Sequence, residues 1–174
     1  MKIRNFQCAA KQKHLLVSAW ASLLLLLFIS MPPQADYAVP VILDTDLATD
    51  CDDAGAVAML HAVAEQGEVF VLSMGICIQN DYSVLAPDAL NTWYGRPDIL
   101  LVTTKNPDAY KPAAGGVRYV RQLSREYPRT NLWTTSADAT DAVAVYRAAM
   151  AAHPNIDEDN PVLVMISIGM MISL

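Results

Sequence analysis

Apolar and polar positions along the chain alternate between two regimes. Val39–Leu43, Val69–Ile76, Asp98–Val102 and Pro161–Ile168 are short runs rich in β-branched and other apolar residues, the pattern of buried strands. Between them, 54–66, 85–94, 117–127 and 139–152 carry apolar residues at helical spacing, and Gly95-Arg96-Pro97 breaks the second helix before the third strand. Unbroken apolar strands joined by helical crossovers predict an α/β fold, a Rossmann-like and mainly parallel sheet with helices on both faces. In such sheets sites collect beyond the carboxyl ends of the strands. Here those positions are Asp44–Asp53, Gln79–Asp81, Thr103–Lys105 and Gly169–Ser173. No internal repeat is present.

The first 37 residues follow a different pattern. A basic stretch over 1–14 precedes an apolar run, Leu15–Ile29, with Pro32, Pro33, Ala35 and Ala38 beyond it. Basic, apolar and small-residue regions in that order predict a secretory signal peptide over 1–37, with a secreted or periplasmic body over 38–174. An uncleaved signal anchor is the alternative and is the one route to a membrane, although the run is shorter than the roughly 20 residues a span needs.

Composition narrows the classes. The chain has 174 residues, 53% hydrophobic and 17% charged, which suits a single domain with a proper core and excludes disordered, collagen-like and disulfide-scaffold chains. Net charge is −6, but Lys2, Arg4, Lys11 and Lys13 sit in the leader. Residues 36–174 have eight basic and eighteen acidic residues, a net −10. So acidic a body is unsuited to gripping nucleic acid phosphates and suited to a cation. Cys51 and Cys77 follow the leader with no CxxC spacing, and His14, His61 and His153 are scattered, so zinc is not indicated.

The charge is concentrated. Asp44, Asp46, Asp50, Asp52 and Asp53 place five carboxylates in ten residues, with no Lys, Arg or His among them. Each close pair costs on the order of a few kcal/mol at an effective dielectric near 20. Asp52 and Asp53 open the next helix, whose dipole offsets only about 0.3–1 kcal/mol each. A hard divalent cation with oxygen ligands is the natural remedy. An EF-hand loop does not fit: its Gly and Glu positions hold Thr49 and Gly55, or Cys51 and Val57, according to the starting Asp. A haloacid-dehalogenase-type phosphatase would use Asp44 and Asp46 in Asp-x-Asp, but Ala48 stands where Thr or Val belongs. A Gly-rich phosphate loop is absent between Leu43 and Ala54.

The stretch Asp44-Thr45-Asp46, five residues, then Asp52-Asp53-Ala54 resembles the amino-terminal signature of the inosine/uridine-preferring nucleoside hydrolase superfamily, in its longer-spacer branch. Ala48 replaces a usual Gly and Gly55 a larger apolar residue. Ser73–Asn80, Ala89–Ile99 and Val162–Gly169 resemble the strand, helix, turn and strand that follow, with Gln79 for a Gly. The resemblance covers 39–174 and implies calcium-dependent hydrolysis of the N-glycosidic bond of ribonucleosides, releasing base and ribose. By position, Asp46 would bind Ca²⁺ and serve as general base. Asp53 and the backbone carbonyl of Ile172 would be further metal ligands, Asp52 and Asn80 would hold the sugar, and Asp44 and Asp50 would support the loop.

The family's later half, with a further carboxylate ligand and a His near the leaving base, has no counterpart here. The closing Met170-Met171-Ile172-Ser173-Leu174 departs from the family's Leu-Thr-Asn-Leu. The chain therefore reads as an incomplete domain whose own turnover is in question, with association through an exposed sheet edge as a consequence. A Ca²⁺-stabilised sugar or nucleoside binding module without turnover is the competing expectation, and the phosphatase a lesser one. Trp93, Tyr94, Tyr119 and Tyr146 are expected in the core or an interface. Lys105 and Arg118–Arg129 suggest a solvated helical face, with contact to substrate by a loop lysine near the site as the alternative.

Overall fold

In the computed structural model, the described residues are 38–48, 50–153 and 163–170. The leader and Ile172 lie outside them, as do the expectations placed there. Along the chain come β1 (Val39–Thr45), α1 (Asp52–Glu65), β2 (Val69–Ile76), α2 (Leu85–Trp93) and β3 (Leu100–Thr103). A 3₁₀ turn over Ala114–Val117 leads into α3 (Arg118–Glu126), and another over Ser136–Asp138 precedes β4 (Thr140–Asp141), α4 (Ala142–Ala152) and β5 (Val164–Ser167).

The strands form one parallel sheet in the order β4-β3-β2-β1-β5. β1 is an interior strand next to the β5 edge, so its carboxyl end opens between β2 and β5. The strand register shifts at Val41/Ile42: Val41 pairs with Val71 and Ile42 with Ser73, leaving Leu72 as an extra residue on β2. The bulge lets Val71 and Met74 face the same side despite their odd spacing.

Each face of the sheet has its own core. Val41, Leu43, Met74 and Leu101 pack with Val57 and Leu60 of α1, Ala86 of α2 and Val120 of α3. On the opposite face Ile42 and Val102 pack with Ala142 and Tyr146 of α4. Helices therefore cover both sides, as the apolar strands require. β4, two residues long, is a fifth strand inside the stretch whose periodicity predicts helix from 139. Trp93 departs from its expected burial: at the end of α2 it is 72% exposed, edge-on to Tyr127.

Two glycines permit close approaches. A Cβ on Gly75 would lie 1.6 Å from the Tyr146 hydroxyl, so a side chain there would block Tyr146 from crossing β2. A Cβ on Gly169 would lie 2.6 Å from the Asp46 amide nitrogen and 2.7 Å from Cys77 Sγ. The chain leaving β5 thus runs directly against the turn that follows β1.

Candidate functional site at the carboxyl end of β1

β1 ends in Asp44 and Thr45, both fully buried, and the chain then turns through Asp46 with Leu47 and Ala48 sealed into the core. The Leu47 amide donates to Thr45 Oγ1 at 3.2 Å, and the Leu47 carbonyl accepts from Ser83 Oγ at 2.8 Å. Apolar anchors at 47 and 48 hold the acidic turn down while its carboxylates project at the rim. α1 begins immediately afterwards, with Asp52 and Asp53 in its first turn and no side-chain cap at Cys51. The helix dipole favours those two charges.

The carboxylates fall into distinct environments. One oxygen from each of Asp50, Asp52 and Asp53 lies within 4.8 Å of the others, Asp50 and Asp52 exposed and Asp53 buried. Thr45 Oγ1 donates to Asp53 Oδ1 at 2.5 Å, which fixes that carboxylate from below. Burial raises the Asp53 pKa to about 6; the Thr45 bond opposes the shift, and the charges of Asp46, Asp52 and Asp50 add to it. Asp46 is half-buried and also raised, first by burial and then by Asp50 and Asp52.

Asp44 faces the other side of the sheet. It accepts from the Tyr146 hydroxyl at 2.7 Å and from Ser167 Oγ at 3.5 Å, and burial raises its pKa to about 6 against both bonds. It ties β1 to α4 and β5. Asp50, read from sequence as a supporting residue, and Asp52, read as a sugar ligand, are grouped here with Asp53.

Asn80 lies beyond β2 in a turn it builds itself. Its Oδ1 accepts from the amides of Tyr82 and Ser83 at 2.8 and 2.9 Å, and its Nδ2 donates to Ser83 Oγ. One amide proton remains for a ligand. Since Ser83 also bonds the Leu47 carbonyl, this turn is coupled to the acidic one. Cys51 is exposed, Cys77 is buried, and both are free thiols; burial pushes Cys77 up to about 12, so it stays protonated.

Sequence reasoning placed Tyr119 only as core. Its hydroxyl is buried without a hydrogen-bond partner among the described residues, and it feels the charges of Asp53, Asp50 and Asp52. This buried, unpartnered phenol lies within electrostatic range of the three aspartates. Helical spacing announced its burial, but nothing in the sequence marked where its hydroxyl would point.

No protein-family profile and no curated protein matches the chain. Two solved structures do. The effector protein XOO4466 superposes with a TM-score of 0.53 at 16% identity, over 84% of this chain and 39% of its own. The type III effector XopQ, solved with adenosine diphosphate ribose, superposes at 0.50 with 15% identity and the same two coverages. The α/β fold of this chain, a parallel sheet with helices on both faces, is shared with these two effector structures. At such identity the likeness speaks for the fold, and the chain spans 39% of the length of these two structures.

Proposed function

We propose that this nucleoside hydrolase-like domain binds a calcium ion at its acidic turn and acts there on the N-glycosidic bond of a ribonucleoside. The observation that carries the reading is the grouping of Asp50, Asp52 and Asp53 beyond the carboxyl end of β1, with Asp46 and Tyr119 within electrostatic range and no basic side chain in the turn. The donor set is entirely oxygen, matching a hard cation rather than zinc. Burial is the main reason Asp46 and Asp53 are shifted upward, and the neighbouring aspartate charges add to it without a cation to offset them; a divalent ion would supply that compensation.

When bound, calcium orients a water molecule and increases its acidity. Asp53, braced by Thr45, and Asp50 would hold the ion, and Asp52 would be available to it and to sugar hydroxyls. Asp46, its basicity raised by burial, accepts the proton as water attacks the anomeric carbon. Negative charge along the turn stabilises the oxocarbenium character of the ribosyl group as the base departs. The remaining Asn80 amide proton and the Tyr119 hydroxyl are the neutral donors to the sugar. The ADP-ribose in the XopQ structure, itself carrying two ribosyl groups, is in keeping with a ribosyl ligand.

A second reading, binding without turnover, is favoured by one observation. Among the described residues no histidine adjoins the acidic turn, because His61 faces Asn91 and Tyr94, and His153 bonds the Ala149 carbonyl. Purified protein incubated with inosine, uridine and a phosphate ester, with and without calcium, separates the cases. Free base with calcium supports hydrolysis, and binding without release supports the second reading. Release of phosphate would instead indicate a phosphatase built on Asp44 and Asp46. Asp46→Asn should abolish base release in a folded protein; full activity in that variant would refute its role.

A further inference from the structure

Beyond Lys13 the sequence contains two lysines, Lys105 and Lys111, and both line one cavity of about 400 Å³ at the carboxyl ends of β2 and β3. Asn80, Thr103, Thr104 and Ser136 contribute amide and hydroxyl groups to its wall. In a body (38–174) of net charge −9, the placement of both lysines in a single recess requires an explanation.

The recess is held in shape. The Gln79 amide donates to the Tyr110 carbonyl at 2.9 Å, and the Gln79 side chain donates to the Asn106 carbonyl, clamping the 104–111 segment to the end of β2. Lys105 Nζ donates to the Ala137 carbonyl at 2.8 Å, fixing the ammonium in place with two protons still to give. Two acids temper the site: Asp81 shares the wall, and Asp138 lies close enough to Lys105 to be stabilised by it. Two ammonium groups and several hydroxyls still outnumber the single lining carboxylate. That chemistry suits a phosphate, which takes charge-assisted hydrogen bonds from lysine.

Position completes the argument. Asn80 belongs both to this cavity and to the turn whose Ser83 grips the Leu47 carbonyl. The cavity therefore adjoins the acidic turn, yet it keeps its own positive groups where the aspartates would repel a phosphate. We propose that the Lys105/Lys111 cavity is a phosphate subsite, so that the preferred ligand is a phosphorylated ribonucleoside whose sugar lies at the acidic turn. The inference rests on the ribosyl reading of that turn.

Calorimetric titration of the full chain in calcium with inosine, inosine 5′-monophosphate and orthophosphate tests it, alongside the Lys105→Ala/Lys111→Ala double variant checked for fold by circular dichroism. The monophosphate should bind on the order of tenfold or more tightly than inosine. The double variant should lose that gain while inosine affinity stays unchanged, and added salt should shrink it. Equal or weaker binding of the monophosphate overturns the proposal, as does a gain that survives in the double variant. Absence of both inosine binding and calcium uptake instead refutes the ribosyl reading. In that event, orthophosphate binding lost in the double variant would still establish the lysine cavity as an anion site, and its absence would refute that too.

Discussion

The Tyr146 hydroxyl reaches across Gly75 to donate to Asp44 Oδ1 at 2.7 Å, linking α4 to the end of β1 between residues 102 apart in sequence. This bond pulls the Asp44 pKa down while burial pushes it up, and burial wins. Tyr146→Phe removes the donor and leaves a buried carboxylate oxygen short of a partner. The variant should lose about 1–3 kcal/mol of stability in urea unfolding at pH 7, and the Asp44 carboxyl should titrate higher still by NMR.

Asp53 offers a test in which the two ligation states move in opposite directions. Its folded pKa of about 6 lies above the ordinary carboxyl value of 3.8. Its contribution to stability is therefore full below the lower value and lost as pH rises through the upper one. At pH 7 without calcium the buried charge is a burden, so Asp53→Asn should raise, or at least preserve, the melting temperature in chelator. Calcium at a hundredfold its Kd should stabilise the wild type by about 2.7 kcal/mol, a shift on the order of 10 °C. The Asn variant should show little of that shift.

His61 titrates away from the site and in the opposite sense. It is buried, its Nε2 donates to Asn91 Oδ1 at 2.9 Å, its Nδ1 has no partner among the described residues, and its ring stacks on Tyr94 at 4.4 Å. Burial lowers its pKa, the Asn91 bond resists, and Arg96 adds to the lowering. A histidine depressed in the folded state contributes stability that is full above about 6.5 and lost as pH falls through the folded value. Calcium-saturated wild type should thus weaken between pH 8 and pH 5 more steeply than His61→Gln, as read from paired unfolding curves.

Gly169→Ala probes the contact between the chain after β5 and the acidic turn. Its new Cβ would sit 2.6 Å from a backbone nitrogen, which cannot swing aside as a side chain could. The expected cost is about 1–3 kcal/mol, accompanied by weaker calcium uptake because Asp46 moves with its own backbone. Gly55→Ala, open to space on α1, should leave both properties near wild type and serves as the control.

Much of the fold was legible because its strands are buried on both faces and read as unbroken apolar runs; β2 matches its expected bounds, Val69–Ile76. β4 was not, since Thr140-Asp141 is too short to carry a period and its neighbours are helix formers. The acidic turn could be located from charge density and its place after a buried strand. Which aspartates would cluster could not, because that depends on how Leu47 and Ala48 bury and where α1 begins. Tyr119, Tyr146 and Gly169 acquire their meaning from partners distant in sequence, and local periodicity carries no trace of those partners.

The pairing of β5 with β1 joins Asp44 to Ser167, 123 residues apart, whereas β1, β2 and β3 assemble from near neighbours. Long-range closure of this kind comes late, since its entropy must be met before its contacts form. The aspartate turn is thus completed only once the distal strand docks, and half-folded chains would present a loose ribbon of carboxylates instead. Ion uptake would then report that folding has finished.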